Sequence, residues 1–203
     1  MMRLIVISTE KIIRGEAEVL NLLFTKGMSV LHLRKPFSTA EELSSLLQAI
    51  ETEFRDRIVL HDHFELYHSY GVKGIHLNRR NPEPLQGKTL SRSCSCHSVT
   101  ECIEKSEKYD YLFLSPVFDS ISKPGYGCRF STEELVEANR NISFSEKVIA
   151  LGGITSETIP LARQYGFKGV AVLGGLWGSY EFDLNEKKVC QRFDSLKKVC
   201  EQR

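Results

Sequence analysis

Nowhere in the chain does an apolar run approach the ~18–20 residues that cross a bilayer, so the sequence offers no membrane-spanning helix. Cysteine is sparse. Six in 203 residues are too few for a small disulfide-stapled scaffold. The opening MMRLIVISTE holds about four apolar residues before Ser8, short of the ~7–15 of a secretory apolar region. It is expected to be a first strand, and the protein is expected to be cytoplasmic with reduced thiols. A surplus of one charge is missing too: 27 Lys and Arg face 26 Asp and Glu, for a net charge of +1. No long-range field would draw a polyanion, which argues against a general nucleic-acid or membrane-surface binder and leaves a local basic pocket open. Linkers, low-complexity stretches and internal repeats beyond a strand–helix unit are absent from the sequence.

What is present is ordinary globular material, with 41% apolar and 26% charged residues and enough length for one domain with a proper core. Eight short apolar runs punctuate it: Leu4–Ser8, Val30–Arg34, Ile58–Asp62, Gly74–Asn78, Thr89–Cys94, Tyr111–Ser115, Val148–Gly153 and Gly169–Gly175. Between most of them the apolar residues fall at helical spacing. Leu43, Leu46, Leu47, Ile50 and Phe54 share one face of AEELSSLLQAIETEF, and SETIPLARQYG behaves likewise. Val189, Phe193, Leu196, Val199 and Cys200 do the same in NEKKVCQRFDSLKKVC. Strands alternating with helices imply parallel pairing through right-handed crossovers. The predicted fold is α/β, a single-domain (β/α)8 TIM barrel over residues 1–203. An open doubly wound sheet is the competing architecture, but STEKIIRGE after the first strand lacks its glycine fingerprint. The stretch from Asn78 to Lys88 is expected to be a loop in place of a full helix.

Chemistry in such a barrel belongs to the C-terminal ends of strands. His32, Arg34 and Lys35 follow the second strand, and His61, Asp62 and His63 the third. His76, Arg79 and Arg80 follow the fourth, and Ser93, Ser95, Cys96 and His97 belong to the fifth. Ser115, Ser120, Ser122 and Lys123 follow the sixth. Five of six histidines fall in these places. The last two strands end in Gly152-Gly153 and Gly174-Gly175. Residues without Cβ just before a helix expose backbone N–H groups at its positive end, with Thr155 or Ser156 available as a cap, and a phosphate can bind there without a basic side chain. One such pair is explained by a tight turn; two on successive final strands point to a phosphate site. The segment SPVFDSISKPGYG adds hydroxyls, a mobile cation and a hinge, suited to closing over a phosphoryl group. Arg34 brings a planar fork for oxyanions.

These residues resemble a known family. HLRKP, VLHD, GIHL, SCSCHS, DYLFLSPVFDSISKPG, VIALGGIT and GVAVLGG are similar, in order, to the motifs of thiamine phosphate synthases and of the related TenI-type thiazole tautomerases. The resemblance implies joining of a hydroxymethylpyrimidine diphosphate to a thiazole phosphate, with pyrophosphate released and Mg²⁺ sharing its charge. It implies that Arg34 and Lys123 hold the diphosphate, that Asp62 ligates Mg²⁺ and that Ser95 contacts the pyrophosphate. It places Ser120 and Ser122 near the two substrates and gives the backbone at Gly153, Leu173 and Gly174 to the thiazole phosphate. His32 and His61 stand where the synthase pattern has glutamine and asparagine, on the substrate side. Asn81 stands where the family has a second acidic ligand, and hard cations prefer carboxylates. The lysine two places after Arg34 is missing.

A tautomerase is the alternative, with His97 as acid/base near neutrality; a non-catalytic phosphate-ligand binder is the third reading. The implied partners are small phosphorylated substrates, with neither nucleic acid nor membrane, and a homo-oligomer is left open. Cys94-x-Cys96-His97 has no second pair at zinc spacing and reads as buried thiols. Trp177 reads as packing at the barrel end.

Overall fold

The computed structural model describes residues 1–85, 91–119, 127, 130–178 and 184–202, without the side chains of 142 and 143. Eight parallel strands close a barrel in sequence order. They are β1 (Arg3–Ile7), β2 (Leu31–Leu33), β3 (Ile58–Leu60), β4 (Gly74–Leu77), β5 (Arg92–Cys96), β6 (Tyr111–Leu114), β7 (Val148–Leu151) and β8 (Gly169–Val172). Closure is made by β1 on β8, from Arg3 opposite Gly169 to Val6 opposite Val172. Every predicted strand is present, with β5 shifted a few residues towards the C-terminus of the expected run.

The pleat sorts the side chains into two cores. Ile5, Ile7, Tyr111, Phe113, Ile149 and Ala171 fill the barrel interior. Val6, Leu112, Leu114, Val148, Val170 and Val172 face outward into the layer beneath the helices. These helices are α1 (Glu16–Thr25), α2 (Ala40–Ala49), α3 (Tyr67–Tyr70), α4 (Val99–Lys105), α5 (Thr132–Arg140), α6 (Ile142–Lys147), α7 (Ile159–Gln164), α8 (Gly174–Trp177) and α9 (Glu186–Glu201).

Helix α2 starts on a capping box, Thr39 with Glu42, and buries Leu43, Leu46 and Leu47. It stops five residues before Phe54 because Ile50 turns extended and the Arg55 guanidinium takes the carbonyls of Gln48 and Ile50. Phe54 still reaches the core from a 3-10 turn, Thr52–Arg57. Asn185 caps α9, which buries Val189, Phe193, Leu196 and Cys200. The expected helix after β7 is shorter than its motif. Thr155 caps a separate turn by accepting from the backbone of Glu157 and Thr158, and α7 begins only at Ile159. Between β4 and β5 the described residues 78–85 carry no helix, as the sequence predicts. Among the described residues no helix is long and apolar enough to cross a membrane.

Candidate active site

The barrel interior turns polar towards the C-terminal ends of the strands. His32, His61 and His76, from β2, the end of β3, and β4, are buried side by side and bring one nitrogen each to within 4.8 Å of one another. His32 Nδ1 lies 2.8 Å from His61 Nε2, and His32 Nε2 lies 2.7 Å from the Tyr111 hydroxyl. The result is a hydrogen-bonded chain from the first residue of β6 to the end of β3. His76 stacks on His61 with ring centroids 4.2 Å apart and sits between Ser93 Oγ at 2.8 Å and Ser95 Oγ at 2.9 Å. Burial pushes the basicity of His32 and His61 well below the usual range. It takes His76 to about 3, with the charges of Arg34 and Arg80 adding to the effect. All three are therefore neutral near pH 7, each with one donor and one acceptor nitrogen.

Above this floor lies a charged rim. Ser8 Oγ accepts from the backbone N–H of Arg34 at 2.9 Å, and the Arg34 guanidinium pairs with Glu10 at 2.6 Å. Lys35 is spent on structure instead: its Nζ is buried against Glu16 at 2.6 and 2.7 Å and donates to the carbonyls of Thr9 and Lys11. Asp62 collects donors from three directions. Its Oδ2 accepts from the backbone of Lys35 at 3.1 Å. Its Oδ1 accepts from Arg80 Nη2 at 2.9 Å, Arg80 Nε at 3.3 Å and Asn81 Nδ2 at 3.1 Å. Asn78 shapes the turn that delivers them, taking the backbone N–H groups of Arg80 and Asn81 on its Oδ1.

On the next strands, Ser95 reaches the histidine floor and His97 stands at the surface. His97 Nδ1 donates to the Ser115 carbonyl at 3.0 Å. A cavity of about 540 Å³ opens here, lined among others by Asn78, Arg79, Ser95, His97 and Pro116, and extends down the flank of β5 to Tyr109. Cys94 and Cys96 point outward. A hydrogen bond to Cys96, with burial, raises the Cys94 thiol, and a hydrogen bond to Cys102, with burial, raises Cys96 to about 12, so neither is a thiolate. His63 turns away to the Ser38 carbonyl and Glu65. Ser120, Ser122 and Lys123 lie outside the described residues.

Across the mouth, Gly152 and Gly153 have φ of +95° and +63°. A Cβ on Gly153 would stand 2.5 Å from the Asp119 carbonyl, and one on Gly152 would stand 2.8 Å from Pro116 Cα. The segment leaving β6 thus packs directly on the turn leaving β7, held by Val117 N–H to Leu151 O and Phe118 N–H to Gly152 O. Leu173 and Gly174 open α8, whose Trp177 is buried and donates to the Ile7 carbonyl at 2.7 Å.

The thiamine monophosphate synthase family model, TMP-TENI, matches residues 4–176. The chain belongs to that family. The thiamine-phosphate synthase of Syntrophomonas wolfei is 27% identical over 175 residues, 81% of this chain and 82% of its own. The crystal structure of thiamine phosphate pyrophosphorylase from Bacteroides thetaiotaomicron is 37% identical, covers both chains fully and superposes with a TM-score of 0.89. The pyrophosphorylase from Pyrococcus furiosus shares the fold, with a TM-score of 0.76 at 19% identity and 98% and 96% coverage.

Membership of this family raises the matter of the divalent ion at Asp62. Mg²⁺ takes near-octahedral oxygen ligands. Here both neighbours of the Asn81 amide, the His61 carbonyl at 2.9 Å and Asp62 Oδ1, only accept. The amide must therefore present its NH₂, so it offers no oxygen beside the carboxylate. Among the described residues, the other groups bonded to Asp62 are N–H donors, one set of them cationic. These residues do not fit a hard cation.

Sequence reasoning singled out Arg34, Asp62, Ser95 and five histidines; the fold gathers His32, His61 and His76 with Ser95 at one end of the barrel, while His63 turns away. That reasoning did not find Glu10, Ser93 and Tyr111 as their partners, nor Glu16 as the partner of Lys35. Glu16 alone left a trace, as an acid in the first turn of a helix.

Proposed function

We propose that the protein is a thiamine-phosphate synthase, which joins hydroxymethylpyrimidine diphosphate to thiazole phosphate and releases pyrophosphate. The observation that carries this reading is that the charges of Arg34 and Arg80 and the Ser95 hydroxyl all act on His76 at one end of the barrel, in a chain matched by the family model along residues 4–176. In the reaction the methylene carbon leaves its diphosphate oxygen and bonds the thiazole nitrogen. The charge that grows on the leaving oxygen is stabilised by guanidinium groups, by the Lys123 ammonium and by the Ser120 and Ser122 hydroxyls that the resemblance assigns to the closing segment. The resemblance gives the thiazole phosphate to the backbone at Gly153, Leu173 and Gly174, in the turns that follow β7 and β8. The neutral floor of His32, His61 and His76 lies beneath the pyrimidine; the ring nitrogens of His32 and His76 are already paired with His61, Tyr111, Ser93 and Ser95, so among the described residues it is His61 Nδ1 that is left to meet the heterocycle. That contact fixes orientation, so that the two reacting atoms meet without solvent between them. The reading implies a cytoplasmic enzyme acting on small phosphorylated molecules.

The test is thiamine phosphate formation by the purified protein from its two phosphorylated halves. Product is expected, lost in Lys123→Ala and reduced roughly a hundredfold in Arg34→Ala, the scale of removing one oxyanion donor. No product despite binding of thiazole phosphate would overturn the assignment in favour of a tautomerase, for which His97→Ala is then the decisive variant.

A further inference from the structure

The Asp62–Arg80 pair carries a consequence for how the diphosphate is held. Arg80 is anchored twice: its backbone N–H sits on Asn78 Oδ1 at 2.9 Å, and its Nε and Nη2 sit on Asp62. Asp62 is nearly buried, while the Arg80 side chain is 42% exposed. Its Nη1 makes no hydrogen bond to the described residues. The charge acts on the floor of the site, since Arg80 and Arg34 both depress the basicity of His61 and His76. Two guanidinium groups thus act on one histidine cluster, and among the described residues Glu10 pairs with Arg34 and Asp62 with Arg80.

We propose that Arg80, held by Asp62 and presented by Asn78, is a built-in cation that receives the diphosphate group where a divalent ion would otherwise stand, so that this protein binds diphosphate without metal. The inference rests on the synthase reading for its ligand and deepens that reading. A guanidinium fork recognises adjacent phosphoryl oxygens bidentately and keeps its charge at every physiological pH. The cost of ordering it is met before the ligand arrives, because Asp62 and Asn78 already fix both ends. Asn81 contributes by turning its NH₂, not its carbonyl, towards Asp62, which bars an oxygen cage from forming there.

Titration of inorganic pyrophosphate by calorimetry, once with excess EDTA and once with excess Mg²⁺, tests this. The wild-type protein is expected to bind in EDTA, and Mg²⁺ titrated alone is expected to give no heat. Arg80→Ala is expected to weaken pyrophosphate binding in EDTA roughly tenfold or more, the scale of losing charge-assisted hydrogen bonds. Arg80→Lys should recover part of it. In Arg80→Ala/Asn81→Asp, two carboxylates meet at the vacated position, and pyrophosphate binding should become dependent on Mg²⁺. Pyrophosphate binding that needs Mg²⁺ in the wild type would overturn the proposal, as would unchanged affinity of Arg80→Ala in EDTA. The two readings fail separately. Metal-free pyrophosphate binding through Arg80 in a protein that forms no thiamine phosphate sinks the synthase and keeps the anion site. Turnover with strictly Mg²⁺-dependent pyrophosphate binding does the reverse.

Discussion

At the scale of single residues, the rim of the barrel spends two lysine and arginine neighbours in opposite ways. Arg34 stays partly exposed beside Glu10, whereas Lys35 is fully buried with Glu16. Burial raises the Glu16 carboxyl and lowers the Lys35 amine, and each is opposed by the charge of the other. Such a pair stabilises little relative to an apolar packing, yet breaking it strands a buried charge. Lys35→Met and Glu16→Leu are therefore each expected to cost about 3–5 kcal/mol in urea unfolding. The double variant Lys35→Met/Glu16→Leu should cost far less than their sum. Additive losses would show that the two groups do not share one buried contact.

At the scale of elements, the approach of the β6 exit to the turn after β7 is what the glycine pair there permits. Gly153 has a left-handed backbone and no room for a Cβ against the Asp119 carbonyl and Phe118. Gly153→Ala is expected to lower stability by about 1–3 kcal/mol and to displace the segment that leads into Ser120, Ser122 and Lys123. Calorimetric binding of thiazole phosphate should weaken in the same variant. Unchanged stability together with unchanged binding would mean that the turn is free to re-form elsewhere. The glycines that the sequence suggested for phosphate thus also answer to packing, and a composition-level reading could not separate the two.

At the scale of the whole molecule, three neutral histidines tie β2, β3 and β4 to Ser93, Ser95 and Tyr111 across the barrel. Their basicity in the folded state lies below the ordinary 6.5, with His76 near 3. Below 6.5 the unfolded chain binds protons that the folded one refuses, so stability is fully present above that pH and is lost as pH falls. Each histidine contributes a slope of about 1.4 kcal/mol per pH unit in that window. The urea midpoint is expected to drop steeply between neutrality and about pH 5, and less so in His76→Gln. A flat profile would place the imidazoles in water instead of in the barrel.

Much of this was legible in the one-dimensional pattern. Eight β-rich runs separated by helical spacing specify a closed parallel barrel, because period-2 and period-3.6 stripes can be buried together in few ways. The strand ends then nominate Arg34, Asp62, Ser95 and the histidines by position alone. The family resemblance, and not the pattern, points to Asn81 as a neutral residue where the family has a second acid. What the pattern leaves undecided is pairing: Arg34 with Glu10, Lys35 with Glu16, Asp62 with Arg80 and His32 with Tyr111 join residues on different strands and loops. Those contacts depend on the stagger of the closed sheet and on which rotamer each loop allows. Residue identity determines what a group can donate or accept, but only the tertiary structure decides which partner it meets, how deeply both are buried and which charges remain for a ligand.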